Sequence, residues 1–252
     1  MPANRLIIRR FASPNTAAKA LARYLARGLV ANPRLVLGLP TGRTPIPLYA
    51  ALVELHRSGF IDFSRASTFN LDEFLGLAPS DARSYRTFMQ RHLFGHINLP
   101  ASRIHFLNGA APDPREECAR YERQIARAGG LDLLVLGLGA NGHIGFNEPG
   151  QALIAATHST RLTNRTRRAN AALFGNRVAA VPRAGLSMGM GTILHARHIV
   201  LLATGAAKAV AVRRLVHGPI TPDVPASFLQ LHRSVEVWVD AAAGLRLSGS
   251  GR

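Results

Sequence analysis

The sequence has 252 residues, of which 47% are hydrophobic and 18% are charged, a balance typical of a globular protein. Its net charge is +17, from 31 Lys and Arg residues against 14 Asp and Glu, and it contains one cysteine. A single cysteine excludes an intramolecular disulfide, and the sequence shows neither a secretory signal nor an apolar run of transmembrane length. We therefore expect a cytoplasmic protein with no membrane partner. Because the arginines are scattered, the charge indicates a solvated basic surface and no nucleic-acid partner.

Hydrophobic periodicity predicts strands and helices that alternate along the chain. Residues 5–11 form the first predicted strand, and Ser13 followed by Pro14 is typical of a helix start. Further strands are predicted at 34–39, 66–71, 103–107, 199–204 and 235–239, with another that begins at 131. Further helices are predicted to begin near 46, 84, 114, 163 and 205, and the region 181–195 is expected to form a loop and a helix.

This alternation predicts a single-domain α/β fold with a doubly wound, mostly parallel sheet and helices on both faces, similar to a Rossmann fold. We expect the domain to cover residues 1–252, with a frayed tail at 244–252. In such a sheet the loops at the carboxyl ends of the strands converge on one edge, which is where ligands bind. The chemistry of the protein is therefore expected in these loops.

The loop 40–45, between the second strand and its helix, contains Thr41, Gly42, Arg43 and Thr44. Backbone N–H groups at a helix start, together with threonine hydroxyls, form a good site for a phosphate group. The alternative is an ordinary turn in which Thr44 caps the helix and a proline takes the first helical position. This segment alone supports both interpretations equally.

Titratable residues follow two other strands. Asp72 and Glu73 come directly after the strand at 66–71, and the glycine-rich loop after the strand at 131 contains His143 and Glu148. Adjacent acids often cap a turn, and a loop histidine often has only a structural hydrogen bond. The alternative is acid–base chemistry, for which a carboxylate and a histidine at one sheet edge are suited.

The glycine-rich loop carries a specific motif. Residues 137–149 read Gly-Leu-Gly-Ala-Asn-Gly-His-Ile-Gly-Phe-Asn-Glu-Pro. Every position matches the signature of the glucosamine-6-phosphate deaminases, Gly-x-Gly-x-[Asp/Asn]-Gly-His-[Ile/Val]-[Ala/Gly]-Phe-Asn-Glu-Pro. The chain thus resembles this family. Further segments that resemble it lie at 41–45, 69–77, 84–89, 166–170, 181–194, 205–208 and 226–232.

The resemblance implies conversion of glucosamine 6-phosphate and water to fructose 6-phosphate and ammonia, with no metal or redox cofactor. It assigns the C2 proton to the base Asp72, and it assigns ring opening to His143, oriented by Glu148 and assisted by Asn141. It also implies that Lys208 binds the substrate phosphate. A lysine in the first turn of a helix opposes the helix dipole, and a nearby phosphate would explain its presence. The remaining phosphate-binding residues that the resemblance implies are Thr41, Gly42 and Thr44. Arg43, in the same loop, is a further candidate, which either adds a phosphate contact or crowds the site.

Two positions depart from the family pattern. Arg43 stands where many members have glycine, and Ala172 stands where the family commonly has an arginine for the substrate phosphate. Arg43, Arg165 and Arg168 are the candidates to replace that arginine, and the sequence does not choose among them. The departures leave open a preference for a different amino-sugar phosphate.

Other functions and kinetic behaviours remain open at this stage. A non-catalytic sugar-phosphate sensor uses a related sheet, but the chain has no spare segment for a helix-turn-helix. A lactonase or pentose-phosphate isomerase is disfavoured by the motif at 137–149. Some family members are hexamers activated by N-acetylglucosamine 6-phosphate through basic and hydroxyl residues after the Asn-Glu-Pro turn. The segment 150–160 contains no Lys or Arg, so we expect simple kinetics, while the oligomeric state stays uncertain.

Overall fold

This computed structural model describes residues 6–247, which contain ten strands and seven α-helices. The strands are β1 (Ile7–Phe11), β2 (Val36–Leu39), β3 (Ser67–Asn70), β4 (Asp72–Phe74), β5 (Ile104–His105), β6 (Leu133–Gly137), β7 (His158–Arg161), β8 (Ala184–Ser187), β9 (His198–Ala203) and β10 (Val235–Asp240). The helices are α1 (Pro14–Ala31), α2 (Ile46–Arg57), α3 (Tyr85–His92), α4 (Pro114–Arg127), α5 (Asn164–Asn170), α6 (Met190–Leu194) and α7 (Ala209–His217).

Seven strands form one parallel sheet in the order β1-β10-β9-β6-β2-β3-β5. From β2 the chain moves outward through β3 to β5, and it then returns to place β6 on the other side of β2. The strand order therefore reverses between β2 and β6. The loops that leave these two strands run to opposite faces of the sheet and open a crevice at its carboxyl edge. This topology confirms the predicted doubly wound α/β fold.

The core consists of two apolar layers, one on each face of the sheet. Alternate residues of a strand point to opposite faces, and both faces of the central strands are buried. Leu133 and Val135 of β6 pack in the layer that contains α1, α2 and α3. Leu134 and Leu136 pack in the other layer, which contains α4, α6 and α7. Cys118 is a buried residue of α4, as expected of a helix cysteine.

A second, antiparallel sheet in the order β4-β8-β7 lies next to the carboxyl end of β3. Only Leu71 separates β3 from β4, and its carbonyl accepts a hydrogen bond from Met188 N at 2.7 Å. In β4, Asp72 pairs with Ser187 of β8. The two acids at 72 and 73 therefore lie in a strand. The capping alternative is wrong for Asp72, whereas the Glu73 side chain accepts backbone N–H groups at the start of α3.

Several predicted boundaries are confirmed and others change. Ser13 caps α1 and Pro14 is its first residue, as predicted. Helix α2 begins at Ile46, and no side chain caps it, so the alternative in which Thr44 caps this helix is wrong. The tail is ordered further than expected, since residues 245–247 form a 3₁₀ turn in which Leu247 is buried. Residue 5 of the predicted first strand and residues 248–252 of the predicted tail lie outside the described residues.

The strands β7 and β8 were not predicted from the sequence, which indicated only a loop and a helix around 181–195. Both are four residues long, and neither shows a continuous apolar run, because they belong to a small sheet at the edge of the domain. No helix within residues 6–247 is long and apolar enough to cross a membrane.

Candidate active site

A cavity of about 570 Å³ lies at the carboxyl ends of β2, β3, β6 and β9, above the point where the strand order reverses. Open parallel sheets bind ligands at this place. Eight of the nine site residues expected from the sequence line the cavity, and the ninth, Glu148, lies directly behind His143. The eight lining residues are Thr41, Gly42, Arg43, Thr44, Asp72, Asn141, His143 and Lys208.

One wall of the cavity is cationic. The loop that contains Arg43 connects β2 to α2, and Lys208 lies in the 3₁₀ turn that precedes α7. Burial lowers the pKa of Lys208, and the positive charges of Arg165 and Arg43 lower it further. Thr41 and Thr44, on the same loop as Arg43, also line the cavity. This wall is suited to a phosphate group, because cations, hydroxyls and the start of a helix meet there.

Asp72 forms part of another wall and is almost completely buried. Its Oδ1 accepts one hydrogen bond, from the Thr41 hydroxyl at 3.4 Å. Burial, together with the nearby Glu73, raises the pKa of Asp72 to about 7, and the Thr41 hydrogen bond opposes this effect only in part. A carboxyl group with this pKa can accept a proton at neutral pH more readily than an ordinary aspartate.

The neighbouring Glu73 has a structural role. Its Oε1 accepts the backbone N–H groups of Phe74 and Tyr85, at 2.8 and 3.0 Å, and its Oε2 accepts that of Arg86 at 3.0 Å. The carboxylate therefore fixes the N-terminus of α3 against β4. Burial raises the pKa of Glu73 to about 7, although these three hydrogen bonds work in the other direction. As a result, Tyr85 is held where it lines the cavity.

Glycines allow the loop after β6 to fold back, so that the His143 ring packs against Gly139. Gly139 N donates to the carbonyl of His143 at 2.8 Å, so the loop closes on itself. A β-carbon at position 139 would lie 2.4 Å from Cε1 and Nδ1 of His143, which explains why glycine is needed there. Gly142 has a φ of +91°, a backbone conformation that other residues rarely adopt.

Glu148 lies behind the imidazole ring and is surrounded by donors. Its Oε2 is 3.6 Å from His143 Nδ1 and accepts a hydrogen bond from Asn141 Nδ2 at 3.1 Å. Its Oε1 accepts the hydroxyl of Thr163 at 3.1 Å and also that of Thr166. Burial works to raise the pKa of Glu148, but His143, Thr166 and Asn141 outweigh it and lower the pKa to about 2. The group is thus a permanent anion beside the ring.

Asn141 connects the two titratable residues of this loop. Its Oδ1 accepts the backbone N–H of His143 at 3.3 Å, while its Nδ2 donates to Glu148. The side chain therefore orients both residues.

Helix α5 lines part of the cavity, and two of its lining residues, Thr166 and Asn170, were not expected at the site from the sequence. Arg165, Thr166 and Asn170 of this helix line the cavity. The Tyr85 hydroxyl donates to Asn170 Oδ1 at 2.9 Å and so joins α3 to α5. The segments 84–89 and 166–170 had matched family motifs, which was the available signal, but a motif match alone did not show which side chains face the ligand.

The arrangement is suited to proton transfer on an anionic small molecule. It combines a buried carboxyl group with a pKa of about 7, a histidine backed by a permanent anion, and a cationic wall. Within residues 6–247 no three His, Cys, Asp or Glu side chains are grouped closely enough to hold a metal ion. The fold and cavity therefore define an α/β protein with a site suited to a small anion at the switch point of a parallel sheet.

Comparison with known proteins identifies the family. The model of the glucosamine-6-phosphate isomerases/6-phosphogluconolactonase family matches residues 11–238. The chain belongs to this family. A glucosamine-6-phosphate deaminase of Alkaliphilus oremlandii is 48% identical over 225 residues, which cover 89% of this chain and 93% of the relative. Glucosamine-6-phosphate deaminase 2 of Bacillus subtilis is 46% identical over 233 residues, 92% of this chain and 94% of the relative.

Solved structures agree with this assignment. A structure described as a monomeric glucosamine-6-phosphate deaminase superimposes with a TM-score of 0.93 at 40% identity, over 96% of this chain and all of that one. A 6-phosphogluconolactonase of Trypanosoma cruzi superimposes with a TM-score of 0.79 at 19% identity, over 98% of each chain. At that low identity the second likeness shows a common fold and nothing about the reaction.

Proposed function

We propose that this protein is a glucosamine-6-phosphate deaminase, which converts glucosamine 6-phosphate and water to fructose 6-phosphate and ammonia. The observation that carries the proposal is the placement of Asp72 and of the His143–Glu148 pair around one cavity with a cationic wall. The deaminases of 46% and 48% identity, each matched over about nine tenths of its length, support it. No second function is favoured by a specific feature of the site.

Substrate binding begins with the phosphate group. In our proposal the phosphate occupies the cationic wall, between the loop that contains Thr41, Gly42, Arg43 and Thr44 and the side chain of Lys208. Charge-assisted hydrogen bonds to a phosphate are stronger than those between neutral groups. Binding at this end leaves the sugar carbons C1 and C2 directed toward Asp72 and His143.

His143 performs the ring-opening step in this mechanism. It moves a proton from the anomeric hydroxyl O1 to the ring oxygen O5 as the C1–O5 bond breaks, which gives the open-chain aldehyde. A histidine is suited to both halves of this transfer because its ordinary pKa is close to neutral. Glu148, held as an anion by its three donors, stabilises the imidazolium that forms between the two halves.

Asp72 performs the carbon-acid step. Its carboxylate takes the proton from C2, and the electron pair of that C–H bond forms the C1–C2 double bond of an enolamine. The second bond between C1 and O1 breaks at the same time, and O1 takes a proton from the ammonium group on C2. Protonation at C1 then gives the imine at C2, and water adds to that carbon and releases ammonia, leaving the ketone of fructose 6-phosphate. The pKa of about 7 makes Asp72 a stronger base than an ordinary aspartate, which favours this transfer.

The test is an assay of ammonia and fructose 6-phosphate formed from glucosamine 6-phosphate, with Asp72→Asn measured in parallel. Loss of a positioned base lowers turnover by about 10² to 10⁴-fold, so the variant should have only traces of activity. Circular dichroism should show that the variant is folded. A folded wild-type protein that forms neither product contradicts the proposed function. A fully active Asp72→Asn variant contradicts the role of Asp72.

We further propose that the chain acts as a single domain in the cytoplasm, on a small-molecule substrate, with simple saturation kinetics. The absence of Lys and Arg from residues 150–160 supports unactivated kinetics. A rate curve that is sigmoidal in substrate and becomes hyperbolic on addition of N-acetylglucosamine 6-phosphate would contradict this part.

A further inference from the structure

Three cations face one part of the cavity without a balancing carboxylate. Arg43, Arg165 and Lys208 all line it, and the two arginines are close enough to affect the ionisation of the lysine. Among the ion pairs of residues 6–247, none includes any of these three side chains. Lys208 is partly buried, whereas Arg43 and Arg165 are exposed. Like charges gathered around the lysine repel each other, so an anion that enters the cluster reduces this repulsion.

Helix α5 supplies one of these cations, and the contacts of its three arginines show which one is free to bind. Arg167 donates to the backbone carbonyls of Val178 at 2.9 Å and Val181 at 3.2 Å, so it holds the following segment in place. Arg168 is exposed and is not among the residues that line the cavity. Arg165 alone of the three is in the cavity wall.

We propose that Arg165 is a phosphate-binding residue, which contacts the substrate phosphate from α5 while Arg43 and Lys208 contact it from the loops after β2 and β9. The proposal rests on the proposed function for the identity of the substrate, but the phosphate site is testable without turnover. Position 172, where the resemblance implies an arginine, is an alanine, and Arg165 is the guanidinium that α5 places in the cavity wall.

The position of Arg165 also connects phosphate binding to the acid–base pair. It lies between Thr163 and Thr166, whose hydroxyls both donate to Glu148. A phosphate held by Arg165 therefore fixes the same helical turn that holds Glu148 beside His143. Arg165 thus acts on the ligand directly, and it positions the catalytic pair through its neighbours in the chain.

The experiment compares Arg165→Gln, Arg165→Lys and Arg168→Gln. The last is a matched control, because both arginines are exposed residues of α5 but Arg168 does not line the cavity. Titration calorimetry with inorganic phosphate at about pH 8, where the ligand is a dianion, measures binding without catalysis. Loss of charge-assisted hydrogen bonds should weaken phosphate binding by about 10- to 100-fold in Arg165→Gln. The kcat/KM for glucosamine 6-phosphate should fall by a similar factor.

Arg165→Lys should retain part of the affinity, because lysine keeps the charge but cannot form the two parallel hydrogen bonds of a guanidinium. Arg168→Gln should bind phosphate within about twofold of wild type, since an exposed charge outside the site is screened. Equal phosphate affinities for Arg165→Gln and Arg168→Gln would overturn the proposal. If the wild-type protein forms no ammonia, the proposed function fails, yet the phosphate titrations still decide whether Arg165 binds the anion.

Discussion

The two carboxyl groups of the site lie in opposite environments. Glu148 accepts hydrogen bonds from Asn141, Thr163 and Thr166 and has His143 at 3.6 Å, and its pKa falls to about 2. Asp72 accepts one long hydrogen bond, is buried beside a second acid, and its pKa rises to about 7. Donors that surround a carboxylate favour its charged form, whereas burial without donors favours the neutral form.

This difference shows how one cavity can hold two carboxyl groups with separate tasks. The group that stays ionised stabilises a charge on the histidine, and the group that titrates near neutral pH can take and return a proton. The contrast arises from the packing of separate segments. Thr166 of α5 and Thr163, which caps that helix, donate to Glu148, whereas Asp72 is a buried residue of β4 in the small sheet. Changing either surrounding should therefore affect one carboxyl group and leave the other unchanged.

The largest effect is expected from Gly139→Ala, which disturbs the pair of His143 and Glu148 and leaves the surroundings of Asp72 unchanged. The new methyl group would lie 2.4 Å from the His143 ring and must displace it from its position over Glu148. A displacement of this size in a catalytic group costs on the order of 10²-fold in kcat. Gly150→Ala is the matched control, because its nearest atom is 3.8 Å away, and it should keep wild-type activity. Equal activities for the two variants would contradict our placement of the ring.

The pH dependence of kcat/KM should report the ionisation of Asp72. The base must be ionised to accept the C2 proton, so activity is lost as the pH falls through its pKa of about 7. At about one pH unit below this value kcat/KM should be roughly tenfold below its plateau. Measurements from about pH 5 to 8 test this expectation. The second ionisation of a phosphate ester is near 6, so an inflection close to 7 is distinguishable from that of the substrate. A flat profile would contradict the assignment.

A smaller effect is expected in stability, and its sign follows from the same pKa. Asp72 has a pKa of about 7 in the folded chain against an ordinary value of 3.8, so its contribution to stability is complete below 3.8 and is lost as the pH rises through 7. Asp72→Asn cannot ionise. Its Tm minus that of wild type should therefore become more positive by a few degrees between about pH 4 and 8.

The control for this measurement is Asp223→Asn, which removes an exposed carboxyl group. Its difference in Tm from wild type should stay nearly constant over the same pH range. A pH-independent difference for Asp72→Asn as well would show that burial of the Asp72 charge does not destabilise the fold. In that case activity and stability would not oppose each other at this position.

The sequence predicted the parallel sheet better than the small one. Strands β6 and β9 are buried on both faces, so their continuous apolar runs identified them. The residues of β4 are Asp-Glu-Phe and those of β7 are His-Ser-Thr-Arg, and neither has such a run. Their pairing is determined by tertiary contacts between segments far apart in the chain, which local periodicity does not report.

The sequence also predicted only those parts of the candidate site that local motifs contain. Loop motifs placed Asp72, His143 and Lys208 at one sheet edge, and the structure brings them to one cavity. The sequence could not show that Thr163 and Thr166 surround Glu148, because these contacts depend on how α5 packs over the loop. For the same reason it left three candidates for the missing phosphate-binding arginine.

A carbon-13 NMR titration of the carboxyl groups tests most directly whether the site holds one titrating base and one permanent anion. Asp72→Asn and Glu148→Gln assign the two signals in protein labelled at the carboxyl carbons. We predict a midpoint near 7 for Asp72 and one near 2 for Glu148. Midpoints at the ordinary value of about 4 for both groups would contradict the account. The two carboxyl groups would then have the same pKa, and nothing would assign them separate roles.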